Sequence, residues 1–315
     1  GVVLLLVIGG CWLVFDSSYS YASDTYGDVY HLLKKHLVFA SIGVIGMLAF
    51  SRLSLKFIRA ISKPLLVFAF LLMIGVLVPG LGHKVNGAQS WYRVAGISIQ
   101  PSEIMKIVLV IYLAAALTNG RVFTKNAVEA RWIVPAFVSI LAIGFTVLQK
   151  DFGTASILTA VVAITFFASG ARKTALIQIL VCLALITMMI FSTGLKHIGP
   201  LRHVNTRVEV FLNPWQFPFD EGYQTIHSLT ALGTGGLYGR GLCLGREKML
   251  LPAAWTDYVA STLGEEAGLI GMLMLLTGFV IFTYRGLDIA KRAKHDFGTV
   301  MAVGLTAIIS VQALI

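Results

Sequence analysis

Long apolar runs recur along nearly the whole chain, and short polar stretches separate them. A membrane-spanning helix needs about 20 mostly apolar residues. The runs predict nine spans, near 1–15, 36–50, 64–80, 102–118, 132–149, 154–170, 173–193, 267–284 and 298–315. We therefore expect an all-α polytopic membrane protein with a large loop, 194–266, between the seventh and eighth spans. Because both ends lie inside apolar runs, we expect 1–315 to be a single transmembrane domain that is truncated at both ends.

Basic residues in the short loops set the predicted orientation. Most of them lie on one side of the membrane, in the clusters 52–63, 121–131, 172–173 and 285–294. Short loops rich in Lys and Arg stay in the cytoplasm. This places the start of the chain in the cytoplasm and the 194–266 loop outside, which makes the outer face the expected place for chemistry.

Composition excludes several classes of protein. With 57% hydrophobic and 13% charged residues, a soluble globule is excluded. The net charge of +10 fits cytoplasmic loops and anionic lipid, and no basic block with interleaved aromatics indicates nucleic-acid binding. Three scattered cysteines are too few for a disulfide framework or a metal site.

Ionisable residues at the ends of spans are the first candidates for a site. Glu103 and Lys106 are three residues apart and share a helix face, and Asp151 follows in a helix-breaking KDFG turn. Such groups are costly at membrane depth, so they face a partner or a wet cavity. The spacing fits a structural ion pair and a polar cavity that opens outward equally well.

The large loop carries two further motifs. The stretch 211–224 combines prolines and aromatics, which fits an interfacial structural loop, and 231–245 contains six glycines. The glycine run resembles a phosphate cradle but lacks the GxxxxGK[ST] order. Five cations surround this run: Arg202, Arg207, Arg240, Arg246 and Lys248. They could hold a pyrophosphate or lipid headgroups, or they could simply lie on a solvated surface.

Three carboxylates precede the eighth span. In a helix, Asp257, Ser261 and Glu265 would share one face. Asp257 could act as a general base on a sugar hydroxyl, or it could offset a helix dipole. Glu265 and Glu266 fit the role of helix-start charges well. Asp257 fits it less well, because it lies too far from the apolar run unless the helix begins earlier.

Together, these motifs resemble one family. The stretches NGAQSWYRVAGISIQPSEIMK (86–106), QKDFGT (149–154), RVEVFLNPWQFPFDEGYQ (207–224) and LPAAWTDYVASTLGEEAGLIG (251–271) occur in the order found in SEDS cell-wall polymerases. These are the FtsW, RodA and SpoVE type proteins, and the NPW and GYQ wording leans toward the FtsW branch. The resemblance covers nearly the whole chain.

The resemblance implies a ten-helix glycosyltransferase of the bacterial inner membrane, acting in cell division or cell shape. It would polymerise lipid II at the outer face with inversion, and Asp257 would be the general base. Lipid II, a class B penicillin-binding protein transpeptidase and other division proteins are the implied partners. No cofactor is assigned, and whether a divalent cation assists stays open because no ligand spacing is diagnostic. The implied substrate-binding residues are Trp91, Glu103, Lys106, Asp151, Arg207, Gln224 and Lys248.

The chain departs from the family pattern near its implied catalytic residue. Ala253 and Trp255 replace the usual glutamate and histidine, Lys150 replaces a proline and Asp220 a glycine, while Asp257 is retained. The family's final segment is absent. Two other functions stay open, a lipid II flippase and a scaffold for division partners. A flippase requires a polar lining from the cytoplasmic side, where these spans are apolar, and a scaffold would not need Asp257.

Overall fold

The computed structural model describes residues 1–85, 88–94, 97–118, 125–171, 209–219, 222–252 and 254–314, with the single positions 176, 177, 180 and 184. The chain divides into two compact units. The first unit comprises 1–52 and 196–282, and the second comprises 53–195 and 283–315.

The first unit begins with two antiparallel apolar helices. Helix α1, Val2–Tyr26, ends at Gly27, whose left-handed φ of 65° lets the chain turn sharply into α2, His31–Ser51. The rings of Phe15 and Tyr30 stack at 5.5 Å and fix this corner. The large loop adds a 3₁₀ turn, Pro214–Gln216, helix α7, Tyr223–Gly235, and a second 3₁₀ turn, Glu247–Met249.

The second unit is a helix bundle with a small sheet. Its helices are α3, Leu55–Gly75, α4, Pro101–Leu117, α5, Lys125–Leu148, α6, Phe152–Ala168, and α9, Asp296–Leu314. Helix α8, Val259–Arg292, begins in the first unit and ends in the second. The core contains Met73, Met105, Leu109, Leu113, Leu158 and Phe166. At Gly304 a Cβ would crowd Val110 and Thr165, so α9 packs closely on α4 and α6.

An antiparallel sheet connects α3 to α4. It consists of β1, His83–Val85, β2, Ala88–Val94, and β3, Ile97–Ile99, in that order. The Tyr92 hydroxyl donates to Leu72 O at 2.8 Å, and Gln89 Nε2 donates to Val76 O at 3.0 Å. The expectation of a purely α structure is therefore wrong in this segment. Aromatic and β-branched residues in β2 and β3, such as Tyr92, Val94 and Ile99, favour strands, and strand pairing satisfies the backbone groups of this segment.

The described helices agree with most of the predicted spans. Five of them are long and apolar enough to cross a membrane: α1, α2, α3, α8 and α9. The predicted span 173–193 lies largely outside the described residues, so the predicted number of spans stays a prediction. Helix α1 extends well beyond the predicted end at residue 15, because its polar stretch 16–24 finds partners inside the first unit. Helix α8 begins at Val259, eight residues before the predicted start of its span.

Candidate functional site

Asp257 lies in the turn that precedes α8 and is exposed. Its neighbour Tyr258 donates a hydrogen bond from its hydroxyl to Gln224 Oε1 at 3.4 Å, which ties the turn to the first turn of α7. The predicted common face of Asp257, Ser261 and Glu265 is wrong. The helix begins only at Val259, so Asp257 points outward while Ser261 and Glu265 are buried.

Glu265 and Glu266 are buried and accept hydrogen bonds from four backbone N–H groups of the glycine-rich loop. Glu265 accepts from Arg246 at 2.9 Å and from Glu247 at 3.1 Å. Glu266 accepts from Cys243 at 2.8 Å and from Gly245 at 3.1 Å. The interpretation of these glutamates as helix-start charges is therefore wrong. The resemblance to a phosphate cradle has a physical basis, but the chain's own carboxylates occupy the amides.

Glycines allow this loop to approach α8 closely. Gly239 has φ 79°, and a Cβ there would overlap with the carbonyl group of Glu266. A Cβ at Gly235 would overlap with the carbonyl of Gly264 in the same way. Gly268, at φ 63° and ψ −157°, breaks α8 just after the two glutamates. Backbone contact thus accounts for Gly235 and Gly239 of the glycine run.

Lys248 forms a buried charge cluster with Asp16 and Glu266. Its Nζ lies 2.8 Å from Asp16 Oδ1 and 2.6 Å from Glu266 Oε1, and the three side chains are at most 2% exposed. Burial favours the neutral amine, but the hydrogen bonds to both carboxylates outweigh it and raise the pKa of Lys248 above its usual value. The alternative that Lys248 lies on a solvated surface is therefore wrong. Since the ammonium is already engaged, we leave Lys248 out of the proposed substrate contacts.

The second unit holds the other candidates. Lys106 Nζ lies 2.8 Å from Glu103 Oε1, which confirms the predicted pairing, and 3.2 Å from Gln312 Oε1. Lys106 is 1% exposed and Glu103 is 46% exposed, so the pair reaches from the core to the surface. Asp151 accepts from Gln100 Nε2 and caps α6 by accepting from the Thr154 N–H at 3.1 Å.

The remaining predicted residues are placed only in part. Trp91 is half-buried in β2, opposite His83 of β1. Lys150 adopts φ 63°, which proline cannot adopt, so the turn before Asp151 differs here from one built on the usual proline. Outside the described residues lie Arg202, Arg207, Asp220 and Ala253. Within the described ranges, no group of three or more His, Cys, Asp or Glu side chains could hold a metal ion.

A cavity of about 540 Å³ opens in the first unit between the end of α1 and the loop before Asp257. Sequence reasoning missed it, although the polar run DSSYSYASD at 16–24 in an apolar segment was an available signal. Its lining from α1 and from the loop is Asp16, Ser17, Tyr19, Ser20, Tyr21, Asp24, Lys248, Met249, Leu250, Leu251, Pro252 and Trp255.

Comparison with known proteins identifies the family. The model of the FtsW, RodA and SpoVE family, described as cell cycle protein, matches residues 1–315. The chain belongs to this family. It is 37% identical to the stage V sporulation protein E of Bacillus subtilis over 320 residues, covering all of this chain and 84% of that protein. It is 33% identical over 323 residues to a protein of Trichlorobacter lovleyi named "Probable peptidoglycan glycosyltransferase FtsW", covering all of this chain and 82% of that protein.

Solved structures show the same fold. A chain of a peptidoglycan synthase complex that coordinates polymerization and crosslinking aligns with a TM-score of 0.74 at 24% identity, over 99% of this chain and 84% of that one. The rod shape determining protein RodA of Thermus thermophilus aligns with a TM-score of 0.66 at 21% identity, over 99% and 81%. The predicted SEDS membership is confirmed, and the names of the curated relatives confirm the predicted enzyme class, peptidoglycan glycosyltransferase.

Proposed function

We propose that this protein polymerises lipid II into glycan strands at the outer face of the bacterial inner membrane, for cell division or cell shape. The observation that carries the proposal is the position of Asp257. It is an exposed carboxylate in a turn that a hydrogen bond from Tyr258 to Gln224 ties to α7, in a chain with relatives named as probable peptidoglycan glycosyltransferases.

Asp257 acts as the general base in this proposal. Among the described residues its carboxylate has no ion pair, and it lies just ahead of the N-terminus of α8, where a negative charge interacts favourably with the helix dipole. It accepts the proton of the acceptor's 4-hydroxyl as that oxygen attacks the donor's anomeric carbon. The bond from this carbon to the pyrophosphate breaks, undecaprenyl pyrophosphate leaves, and configuration inverts.

Glu265 and Glu266 fix the loop 243–247, which precedes the turn of Asp257, without entering the reaction. They hold the loop 243–247 through four backbone N–H groups, and the cluster at Lys248 joins that loop to α1. A general base must stay within hydrogen-bond reach of its proton, so a fixed loop favours catalysis. In this proposal the buried charges of Glu265, Glu266 and Lys248 serve to position the segment that leads to the turn.

Substrate contacts are proposed for Trp91, Glu103, Lys106, Asp151, Arg207 and Gln224. Gln224 has direct structural support, since its side chain bonds the residue next to Asp257. The exposed end of the Glu103–Lys106 pair supports a polar cavity in the second unit. Arg207 is proposed to neutralise the pyrophosphate. A class B penicillin-binding protein and other division proteins are the proposed partners, and the start of the chain is proposed to be cytoplasmic.

The test is glycan synthesis by the purified full-length protein from lipid II, with the product separated on a gel. Asp257→Asn keeps the shape of the side chain but removes the base, so we expect the polymerisation rate to fall by about 10²–10⁴-fold. Asp28→Asn is the matched control, because Asp28 is another acidic residue of the first unit and its contacts, with the Lys34 ammonium and the Tyr30 N–H, are exposed.

Polymer made by Asp257→Asn at the wild-type rate would refute the assignment of the base. Movement of lipid II across vesicle membranes by a protein that makes no polymer would replace the enzyme with a transporter.

A further inference from the structure

The cavity beside α1 has a built polar wall and an aromatic edge. The polar residues Ser17, Tyr19, Ser20 and Asp24 line it. At about 540 Å³ it lies within the range of small-ligand sites, roughly 300–1,000 Å³. It is formed entirely by residues of the first unit.

The charges of this cavity exclude an anionic ligand. Asp16 and Asp24 both line it, and its one lining cation, Lys248, is already shared between Asp16 and Glu266. A diphosphate would therefore meet carboxylates with no free ammonium among the lining residues, and like charges repel strongly where water is partly excluded. An uncharged ligand that can donate hydrogen bonds fits this wall.

The aromatic edge narrows the class of ligand further. The rings of Tyr21 and Trp255 stack with centroids 4.2 Å apart and planes 29° apart, and both residues line the cavity. A sugar ring offers an apolar C–H face for such rings and hydroxyl donors for carboxylates and hydroxyls. Aromatic rings and acceptors therefore meet both sides of a sugar, whereas an acyl chain would leave the carboxylates unsatisfied.

We propose that this cavity binds an uncharged sugar ring and serves as the subsite for the acceptor glycan. The second part rests on the proposed function, because Trp255 lies two residues before Asp257 and brings a bound sugar to the same turn. The pyrophosphate of the donor is held elsewhere. Trp255, which replaces the histidine expected at this position, is then a residue that determines acceptor binding in this chain.

The experiment measures binding of N,N′-diacetylchitobiose to the full-length protein in nanodiscs by saturation-transfer difference NMR. Loss of one stacking ring is expected to weaken binding roughly threefold to tenfold in Trp255→Ala and in Tyr21→Ala. Asp24→Asn tests the polar wall without a folding risk, since Asp24 is exposed, and it should weaken binding by a similar factor. Trp12→Ala and Asp28→Asn are the matched controls, because neither residue lines the cavity.

Two results would overturn the proposal. The first is that Asp24→Asn and at least one of the two aromatic variants bind the disaccharide as well as the wild type does. The second is that inorganic pyrophosphate displaces the disaccharide from the wild type. Asp257→Asn separates this proposal from the proposed function. If that variant binds the disaccharide but makes no polymer, both stand. If Asp257→Asn binds the disaccharide and still makes polymer, only the assignment of the catalytic base is rejected. If Asp257→Asn is inactive but the cavity variants bind the disaccharide normally, only the sugar site in the cavity is rejected.

Discussion

Replacing Lys248 with methionine should be among the most destabilising single changes in the first unit. Methionine has a similar length but no charge, so Asp16 and Glu266 would face each other in the interior without a cation. Their carboxylates lie 2.8 Å and 2.6 Å from the ammonium and are at most 1% exposed, so the variant leaves two buried carboxylates without their cation.

The size of this effect follows from the burial of the cluster. Removing one partner of a buried ion pair costs about 3–5 kcal/mol, because an uncompensated charge is left behind. At about 2–4 °C per kcal/mol, the melting temperature should fall by roughly 6–20 °C. The exposed pair between Lys34 and Asp28 gives the control, since solvent screens it and Lys34→Met should leave the melting temperature unchanged.

Thermal unfolding of the purified protein, followed by tryptophan fluorescence in one detergent, measures both variants. Adding Glu266→Gln to Lys248→Met removes one of the stranded charges, so the double variant should lose less stability than the two separate losses combined. A melting temperature for Lys248→Met equal to that of Lys34→Met would refute the reasoning. Strict additivity of the double variant would show that the charges are not coupled.

Two further predictions concern the glycine-rich loop. Gly239→Ala should lower the melting temperature strongly, because it adds a Cβ at φ 79° against the backbone of α8. Gly233→Ala is the control and should not lower it, because no atom lies within 4 Å of the new Cβ. Equal shifts in melting temperature for the two variants would contradict this prediction. The carboxylate of Asp16 raises the pKa of the Cys243 thiol, and burial raises that pKa further. Thiolate forms as pH rises, so iodoacetamide labelling of Cys243, read by mass spectrometry from pH 7 to 10, should reach its midpoint above the usual value of about 8.5. Asp16→Asn should lower that midpoint, and a midpoint that does not move would argue against the contact.

Local spacing made part of the site predictable. Glu103 and Lys106 pair as expected because residues three apart on a helix are neighbours whatever the rest of the fold does. Asp151 was correctly placed in a turn because KDFG interrupts two apolar runs. The same reasoning failed for Glu265 and Glu266, whose position before an apolar run is equally typical of exposed helix-start charges.

The sequence by itself determined that the chain is a membrane protein of apolar helices, because the bilayer demands that each spanning segment satisfy its own backbone hydrogen bonds. The motifs in the sequence also determined the family. Only the tertiary structure decided where the buried charges find partners. Lys248 meets Asp16 across 232 residues of sequence, and the amides of the glycine run meet two glutamates from another helix. No local pattern encodes such pairs, because the energy of a buried charge depends on which groups the fold brings within about 3 Å of it.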